Sequence, residues 1–460
     1  MTPACPVFPE AQGHAVREEQ RGTTFILPKR SFCVIIEPPA SRRTYLLKDR
    51  IARGRSASAL QVWREAGKGM EHMKNVGIIC EFDPFTEGHG YLFRELRRLG
   101  AERLICLMSG CFVQRGGPAL LPPLYRAEAA LRCGADAVFE LPFPFSSLGA
   151  GYFAEAGVSV LARLGADTVA FGSECGDIGE LAALAASPAP ERGPGSPSGG
   201  TAEIWLGERG RGPNDILAVE YLRALRKLPE ETRPGAVAVK RKGSGHGETA
   251  LPGRKVDTLP GEYPSASEIR RAVLEGRDPS ELRIPADSAA AVKSATADGR
   301  CPVPPDAAGE FMLRAWRMTP AEDAGSYAEC GGGLGERLRM ASLEARSFAG
   351  FTELASTKKY TSSRIRRAML LGAMRIPSSA ACMTPAYARL LAAGPEGRRF
   401  IGEAAGRDIA VVTRTSDIPD TPGARLQRIC DERAAALYSL LMPRPASASE
   451  LLTPHPYIFE

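Results

Sequence analysis

From Val76 onward, short β-branched or apolar runs alternate with amphipathic stretches of helical period, and no other feature of the sequence restricts the fold as strongly. Val76–Cys80, Arg103–Met108, Ala137–Leu141 and Thr168–Phe171 read as strands. His89–Leu99, Tyr125–Cys133 and Tyr152–Leu164 read as the intervening helices. The first of these places Leu92, Leu96 and Leu99 on one face, and Gly134 and Gly165 close the other two. A strict βαβαβαβ order demands right-handed crossovers. The expected fold is therefore α/β, a doubly wound parallel sheet of Rossmann-like kind whose ligands sit at the carboxyl ends of the strands.

The remainder divides by composition. Residues 1–74 mix Pro, Arg and Ser-rich stretches with one apolar run, Phe32 to Ile36, and read as a disordered basic extension. With Met70 and Met73 just ahead of the first strand, that extension is either an overlong start or a basic targeting or RNA-binding arm. A Gly/Pro/Ser-rich stretch from Ser187 to Gly200 marks a flexible insertion near 187–212. Pro213–Leu228 then reads as a helix, Gly235–Lys240 as a fifth strand and Ser267–Gly276 as a further helix. From about 280 the chain is Ala- and Arg-rich, so the expectation is an α/β domain over 75–278 followed by a mainly α-helical domain over 279–460.

Charge and cysteine usage narrow the functional classes. Of 59 Lys/Arg and 53 Asp/Glu, thirteen and seven fall within 1–74, leaving 46 of each for the body. The net charge of +6 therefore sits in the extension, and a polyanion site in the body must be a local patch. Eleven cysteines, an odd number with no CxxC pair, and only five histidines argue against a disulfide framework and a structural zinc site. No apolar run approaches the roughly 18–20 residues that span a bilayer, and the N-terminus lacks a signal-peptide core. The expectation is a soluble, cytoplasmic protein with no membrane partner and no protein-held metal.

The loop from strand one to helix one, Glu81-Phe-Asp-Pro-Phe-Thr-Glu-Gly-His89, carries the strongest chemical signal. A strand edge feeding a helix N-terminus presents free N–H groups and a positive dipole end to a phosphate. Gly88 admits a ligand close to the backbone, and His89 on the first turn can donate to a phosphoryl oxygen, with the Thr86 hydroxyl facing the same space. On local physics an Asp-Pro turn followed by a Thr N-cap fits equally well.

The FDPFTEGH run resembles the (H/T)xGH signature of the nucleotidyltransferase superfamily. GIICEFDPFTEGH, SGCFVQRG (109–116), YRAEAAL (125–131), GADAVFELP (134–142), FGSE (171–174), PNDILAVEYL (213–222), VKRKGSGH (239–246), SASEIR (265–270) and KKYTSSRIRR (358–367) follow the order seen in the bacterial tRNA(Met) cytidine acetate ligase family. The resemblance spans about residue 75 to the end. It implies an ATP-dependent ligase that joins acetate and ATP into acetyladenylate and passes the acetyl group to N4 of the wobble cytidine of elongator tRNA(Met). On the residues alone, a small-molecule adenylyltransferase and a non-catalytic nucleotide- and RNA-binding protein remain alternatives.

Carried over by motif, ATP with Mg²⁺ would lie along Ile79, Cys80, Glu81, Phe82, Asp83, Pro84, Phe85, Thr86, Glu87, Gly88, His89, Gly90, Tyr91 and Leu92, with His89 and Thr86 catalytic. Gly172, Asn214 and Arg241 would contact the nucleotide, and Ser265, Ser267 and Arg270 would hold the departing pyrophosphate. The densest basic cluster of the body, Lys358, Lys359, Tyr360, Arg364, Arg366 and Arg367, is the expected tRNA contact. Two positions depart from the family pattern. Thr86 stands where His is usual, and Pro122-Pro123 stand where an Asp-Lys pair is usual.

Because residues 1–69 show no core-forming pattern, a chain starting at Met70 or Met73 is expected to melt within a few degrees of the full protein and to bind ATP equally well. Thermal unfolding and ATP titration of the two chains check this. Any fall in tRNA affinity should be steeply salt-dependent.

Overall fold

Strands and helices alternate because the apolar residues change period, from every second residue in the strands to every third or fourth in the helices. In the computed structural model, which describes residues 73–187, 211–242, 263–403, 408–452 and 456–459, this pattern builds one eight-stranded sheet. The elements run β1 (Asn75–Cys80), α1 (Glu87–Arg98), β2 (Arg103–Ser109), α2 (Pro123–Arg132), β3 (Ala137–Leu141), α3 (Ala150–Leu164) and β4 (Thr168–Ser173). There follow α4 (Ile178–Ala186), α5 (Pro213–Lys227), β5 (Gly235–Lys240), α6 (Ala266–Leu274) and α7 (Ala286–Ala297). Next come α8 (Gly309–Arg317), α9 (Leu334–Glu344), α10 (Phe348–Ala355), α11 (Ser362–Ala373), α12 (Ser378–Cys382) and β6 (Tyr387–Ala393). The chain closes with α13 (Pro395–Glu403), β7 (Ala410–Val412), α14 (Pro422–Leu441), α15 (Ser449–Leu452) and β8 (Tyr457–Ile458).

The strand order is β5-β4-β1-β2-β3-β6-β7, with β8 also pairing β6. Strands β1 to β5 are mutually parallel. The chain passes outward from β1 to β2 and β3, then crosses to β4 on the other side of β1, so the topological switch point lies between β1 and β4. The sheet is wound on both faces. Leu104, Cys106 and Met108 of β2 pack under α1 and α2, while Ile105 and Leu107 face the side covered by α3, α4 and α5. The expected doubly wound α/β architecture is present.

The expected boundary at 279 does not divide the fold. After its helices the chain returns to the sheet, and β6 lies antiparallel to β3, making the sheet mixed. The Ala-rich TPAYARLLAAG stretch reads as helical because alanine favours helix, yet every residue of β6 is buried in the sheet, and that burial overrides the propensity. The core on the α3 side continues into Trp316, Phe351 and Leu370 of α8, α10 and α11, and all described residues belong to one compact unit, Arg55–Glu460. Residues 1–72 and most of the 187–212 insertion lie outside the described residues. Among the described residues no helix is long and apolar enough to cross a membrane.

Helix α13 seats the returning segment on β3 by close backbone approach. A Cβ at Gly397 would lie 2.0 Å from the Asp136 carbonyl oxygen, whereas a Cβ at Gly402 meets nothing within 4 Å. Gly397→Ala should therefore cost about 2 kcal/mol or more through overpacking against backbone. Gly402→Ala, on the same helix, should stabilise by about 0.5–1 kcal/mol. Urea denaturation midpoints of the two variants check the opposite signs.

Candidate active site

The loop between β1 and α1 is held from beneath. Phe82, Phe85 and Phe93 form an aromatic cluster with ring centroids 4.8–5.9 Å apart, and His89 packs on it at 5.0 Å from Phe82. Phe82 itself adopts φ +46°, a left-handed conformation that costs a bulky residue energy and persists because the cluster enforces it. Asp83 Oδ1 accepts the Leu120 N–H at 2.7 Å, and the Ser288 hydroxyl donates to the Phe85 carbonyl at 2.7 Å. The buried Arg126 donates to the Glu81 carbonyl at 2.6 Å, to the Leu121 carbonyl at 3.1 Å and to the Gly110 carbonyl. One guanidinium thereby fixes the ends of β1 and β2 together.

His89 is oriented by its own turn. Its Nδ1 accepts the Thr86 N–H at 2.9 Å and lies 3.1 Å from the Thr86 hydroxyl. The proton of the neutral ring therefore resides on Nε2. Burial, helped by Arg241, pushes the His89 pKa down to about 3, so the imidazole is a neutral donor across the physiological range.

Three further segments complete a cleft of ≈ 710 Å³ at the carboxyl edge beside the switch point. From β4 and α5, Glu174 accepts the Asn214 amide at 2.6 Å and the Asp215 N–H at 2.7 Å. Asp215 in turn accepts the Ser173 hydroxyl at 2.5 Å and the Glu174 N–H at 2.8 Å. Asn214 Oδ1 accepts from Arg241 at 3.4 Å, so the Asn214 side chain links Glu174 to Arg241. Burial holds the Arg241 pKa below its ordinary value, with Glu174 opposing. From α6, Ser265 is the N-cap in a reciprocal box with Glu268, while Arg270 donates to the Asp83 carbonyl at 2.8 Å and to the Ser267 hydroxyl at 2.9 Å.

The cleft is lined by Ile79, Cys80, Glu81, Phe82, Asp83, Thr86, Gly88, His89, Tyr91, Leu92, Gly172, Asn214, Arg241, Ser265, Ser267 and Arg270. Pro84, Phe85, Glu87 and Gly90 do not line it: Pro84, Phe85 and Gly90 are buried, and Glu87 turns to Arg94 at 3.7 Å.

The basic cluster needs correction. Tyr360, Arg364 and Arg367 are buried, so they cannot meet RNA. Tyr360 donates to the Gly332 carbonyl, the Arg364 guanidinium stacks 4.7 Å from the Tyr360 ring, and both arginines approach Glu329 at 3.8 Å. Lys358 and Lys359 are exposed, and Arg366 pairs with Asp306 while lining the cleft.

Several contributors escaped the sequence reading. Gln114 and Arg115 enter the cleft on the loop after β2, and Lys242 reaches it 4.5 Å over the Tyr91 ring. Gly116 explains that loop: at φ +77°, a Cβ there would lie 2.6 Å from the Arg367 backbone nitrogen, so only glycine lets the loop dock on α11. The Gln-Arg-Gly-Gly spelling was the available signal.

The family model described as HIGH Nucleotidyl Transferase matches residues 73–192 and 202–451. A Syntrophotalea carbinolica protein named tRNA(Met) cytidine acetate ligase is 34% identical, over 81% of this chain and 95% of that one. A Pediococcus pentosaceus protein of the same name is 30% identical, over 81% and 96%. The solved structure of Thermotoga maritima TmcAL bound with alpha-thio ATP superposes with a TM-score of 0.70 at 27% identity, covering 84% of this chain and 100% of that chain.

The geometry of His89 generates a spectroscopic expectation. Its ring ¹⁵N signals should report the Nε2–H tautomer and stay constant from pH 8 to pH 5, charging only near pH 3. Because the unfolded imidazole binds its proton near pH 6.5, this group's contribution to stability is present above that pH and is lost progressively as the pH falls toward 3. A ring that titrates near 6.5 in the folded protein overturns the assignment.

Proposed function

Because this chain belongs to the HIGH nucleotidyl transferase family, together with the proteins named tRNA(Met) cytidine acetate ligase, we propose that it activates acetate with ATP and transfers the acetyl group to N4 of a tRNA(Met) cytidine. The observation that carries this reading is convergence. Segments scattered from Ile79 to Arg270 meet in one cleft at the switch point, around a neutral imidazole donor and the cations Lys240, Arg241, Lys242 and Arg270.

In the first half-reaction the acetate oxygen attacks the α-phosphorus of ATP and pyrophosphate leaves. The reaction requires no enzyme nucleophile; the protein brings two anions together and stabilises the charge that grows on the α-phosphoryl oxygens. His89 donates through Nε2–H to one of those oxygens, with its ring held by the Thr86 N–H. Thr86 acts by positioning. Among the cleft-lining residues, Gly172 and Asn214 would face the nucleoside, and Ser265, Ser267 and Arg270 would hold the leaving pyrophosphate.

Mg²⁺ fits this cleft as a companion of the phosphates. Of the carboxylates lining it, Asp83 is engaged through both oxygens, by the Leu120 N–H and Arg270, and Glu81 through Oε1 alone, by the Gln114 N–H. Among the described residues no three His, Cys, Asp or Glu side chains converge to hold a metal. The ion would enter with the triphosphate as its counter-charge. For tRNA, the exposed Lys358 and Lys359 and the cleft-lining Arg366 remain the contacts of choice, the cytidine entering past Arg366.

Acetate-dependent ATP–pyrophosphate exchange, run with and without tRNA, tests the reading; no exchange with acetate overturns it. His89→Ala should bind ATP within a few-fold of the parent and form acetyladenylate about 10²–10³-fold more slowly, the usual cost of a donor aimed at transition-state charge. Thr86→His should keep or raise the single-turnover rate.

A further inference from the structure

The second half-reaction, on the acetyl-transfer reading above, poses a proton problem. The cytosine exocyclic amine has its lone pair delocalised into the ring, so its proton must leave as the new N–C bond forms. We propose that Glu81 is the general base that takes this proton. The N4 lone pair attacks the acetyl carbonyl carbon of acetyladenylate, the bond from that carbon to the phosphate oxygen breaks, and AMP departs with the electron pair. The N4 proton passes to the free carboxylate oxygen of Glu81.

Geometry and elimination carry the assignment. Glu81 lines the cleft at the end of β1, and its Oε1 is fixed by the Gln114 N–H at 2.8 Å, while Oε2 makes no hydrogen bond or ion pair among the described residues. Four other candidates in the cleft are engaged or held protonated. His89 Nδ1 is occupied by the Thr86 N–H, Asp83 is bound by the Leu120 N–H and faces Arg270 at 3.5 Å, and burial keeps the Cys80 thiol and the Tyr221 hydroxyl protonated. A carboxylate also repels the two anions of the first half-reaction, and bracing the Gln114 N–H needs only a neutral amide oxygen. Its environment suits a base. Burial raises its pKa, Asp83 adds to the rise, and the Gln114 N–H, Arg270 and Arg115 hold it in check.

The test uses the full chain, allowed to form acetyladenylate from ATP and acetate and then mixed with an unmodified elongator tRNA(Met) transcript, N4-acetylcytidine and AMP being followed in one turnover. Glu81→Gln keeps the oxygen that accepts from Gln114 and removes the base. It should slow transfer by about 10²–10⁴-fold, at least about ten-fold more than it slows pyrophosphate exchange. The parent's transfer rate should rise with pH through the Glu81 titration and then level, and this acid limb should vanish in Glu81→Gln. Equal losses in exchange and transfer, or an acid limb that survives, as it would if the adenylate phosphate were the base, overturn the assignment. If Glu81→Gln melts far below the parent, Glu81→Asp takes its place. With the carboxylate set back by one methylene it must show the same preferential loss of transfer, and a parental rate overturns the assignment. A parent without acetate-dependent exchange instead overturns the acetyl-transfer reading itself.

Discussion

A single buried guanidinium sets the geometry on which the cleft depends. Arg126, on α2, donates to carbonyls at the ends of β1 and β2 and to the Leu121 carbonyl, groups that would otherwise be stranded away from water. Each such charge-assisted bond contributes on the order of 1.5–3 kcal/mol, and arginine's planar fork reaches separate carbonyls that lysine could not span. With those strand ends tied, Glu81 and Gln114 meet across the gap, and the loops bearing His89 and Arg115 become opposing walls of one site.

The cleft separates attraction from chemistry. On the proposed ATP-activation reading, the cations supplied by β5, the residues just after it and α6 would counter the charge of a triphosphate, whereas His89, neutral because it is buried, could donate a hydrogen bond without binding the ground state strongly. Thr86 in place of the family's usual histidine is consistent with this division, since its backbone N–H fixes the remaining imidazole. The Pro122-Pro123 pair has a structural role of its own. Pro123 occupies the first turn of α2, where a missing N–H costs nothing, and so starts the helix that carries Arg126.

The helical segment after 279 is part of the same architecture. Its helices share the core on the α3 side, and its strand β6 caps the open edge of β3, protecting a surface that would otherwise template aggregation. Its packing also lines the cleft, because α11 contributes Ser362, Ser363 and Arg366, and the loop after β2 docks on its backbone at Gly116. The cleft loops and the helical region are therefore packed against one another.

The sequence by itself determined the βαβαβαβ half and the motif loops, because periodicity and glycine punctuation are local signals that burial in a parallel sheet reinforces. It also marked His89, Gly172, Arg241 and Arg270 as neighbours in chemistry. Only the tertiary structure decided what long-range contacts decide. TPAYARLLAAG, which alanine content alone would make a helix, becomes β6 because β3 offers an unpaired edge. Arg364 and Arg367, alike in sequence to a solvated basic face, turn inward toward Glu329, more than thirty residues away in the chain, and Tyr360 turns in with them to the Gly332 carbonyl and the Arg364 guanidinium. Charge is written in the sequence; its desolvation is fixed only when distant segments close around it.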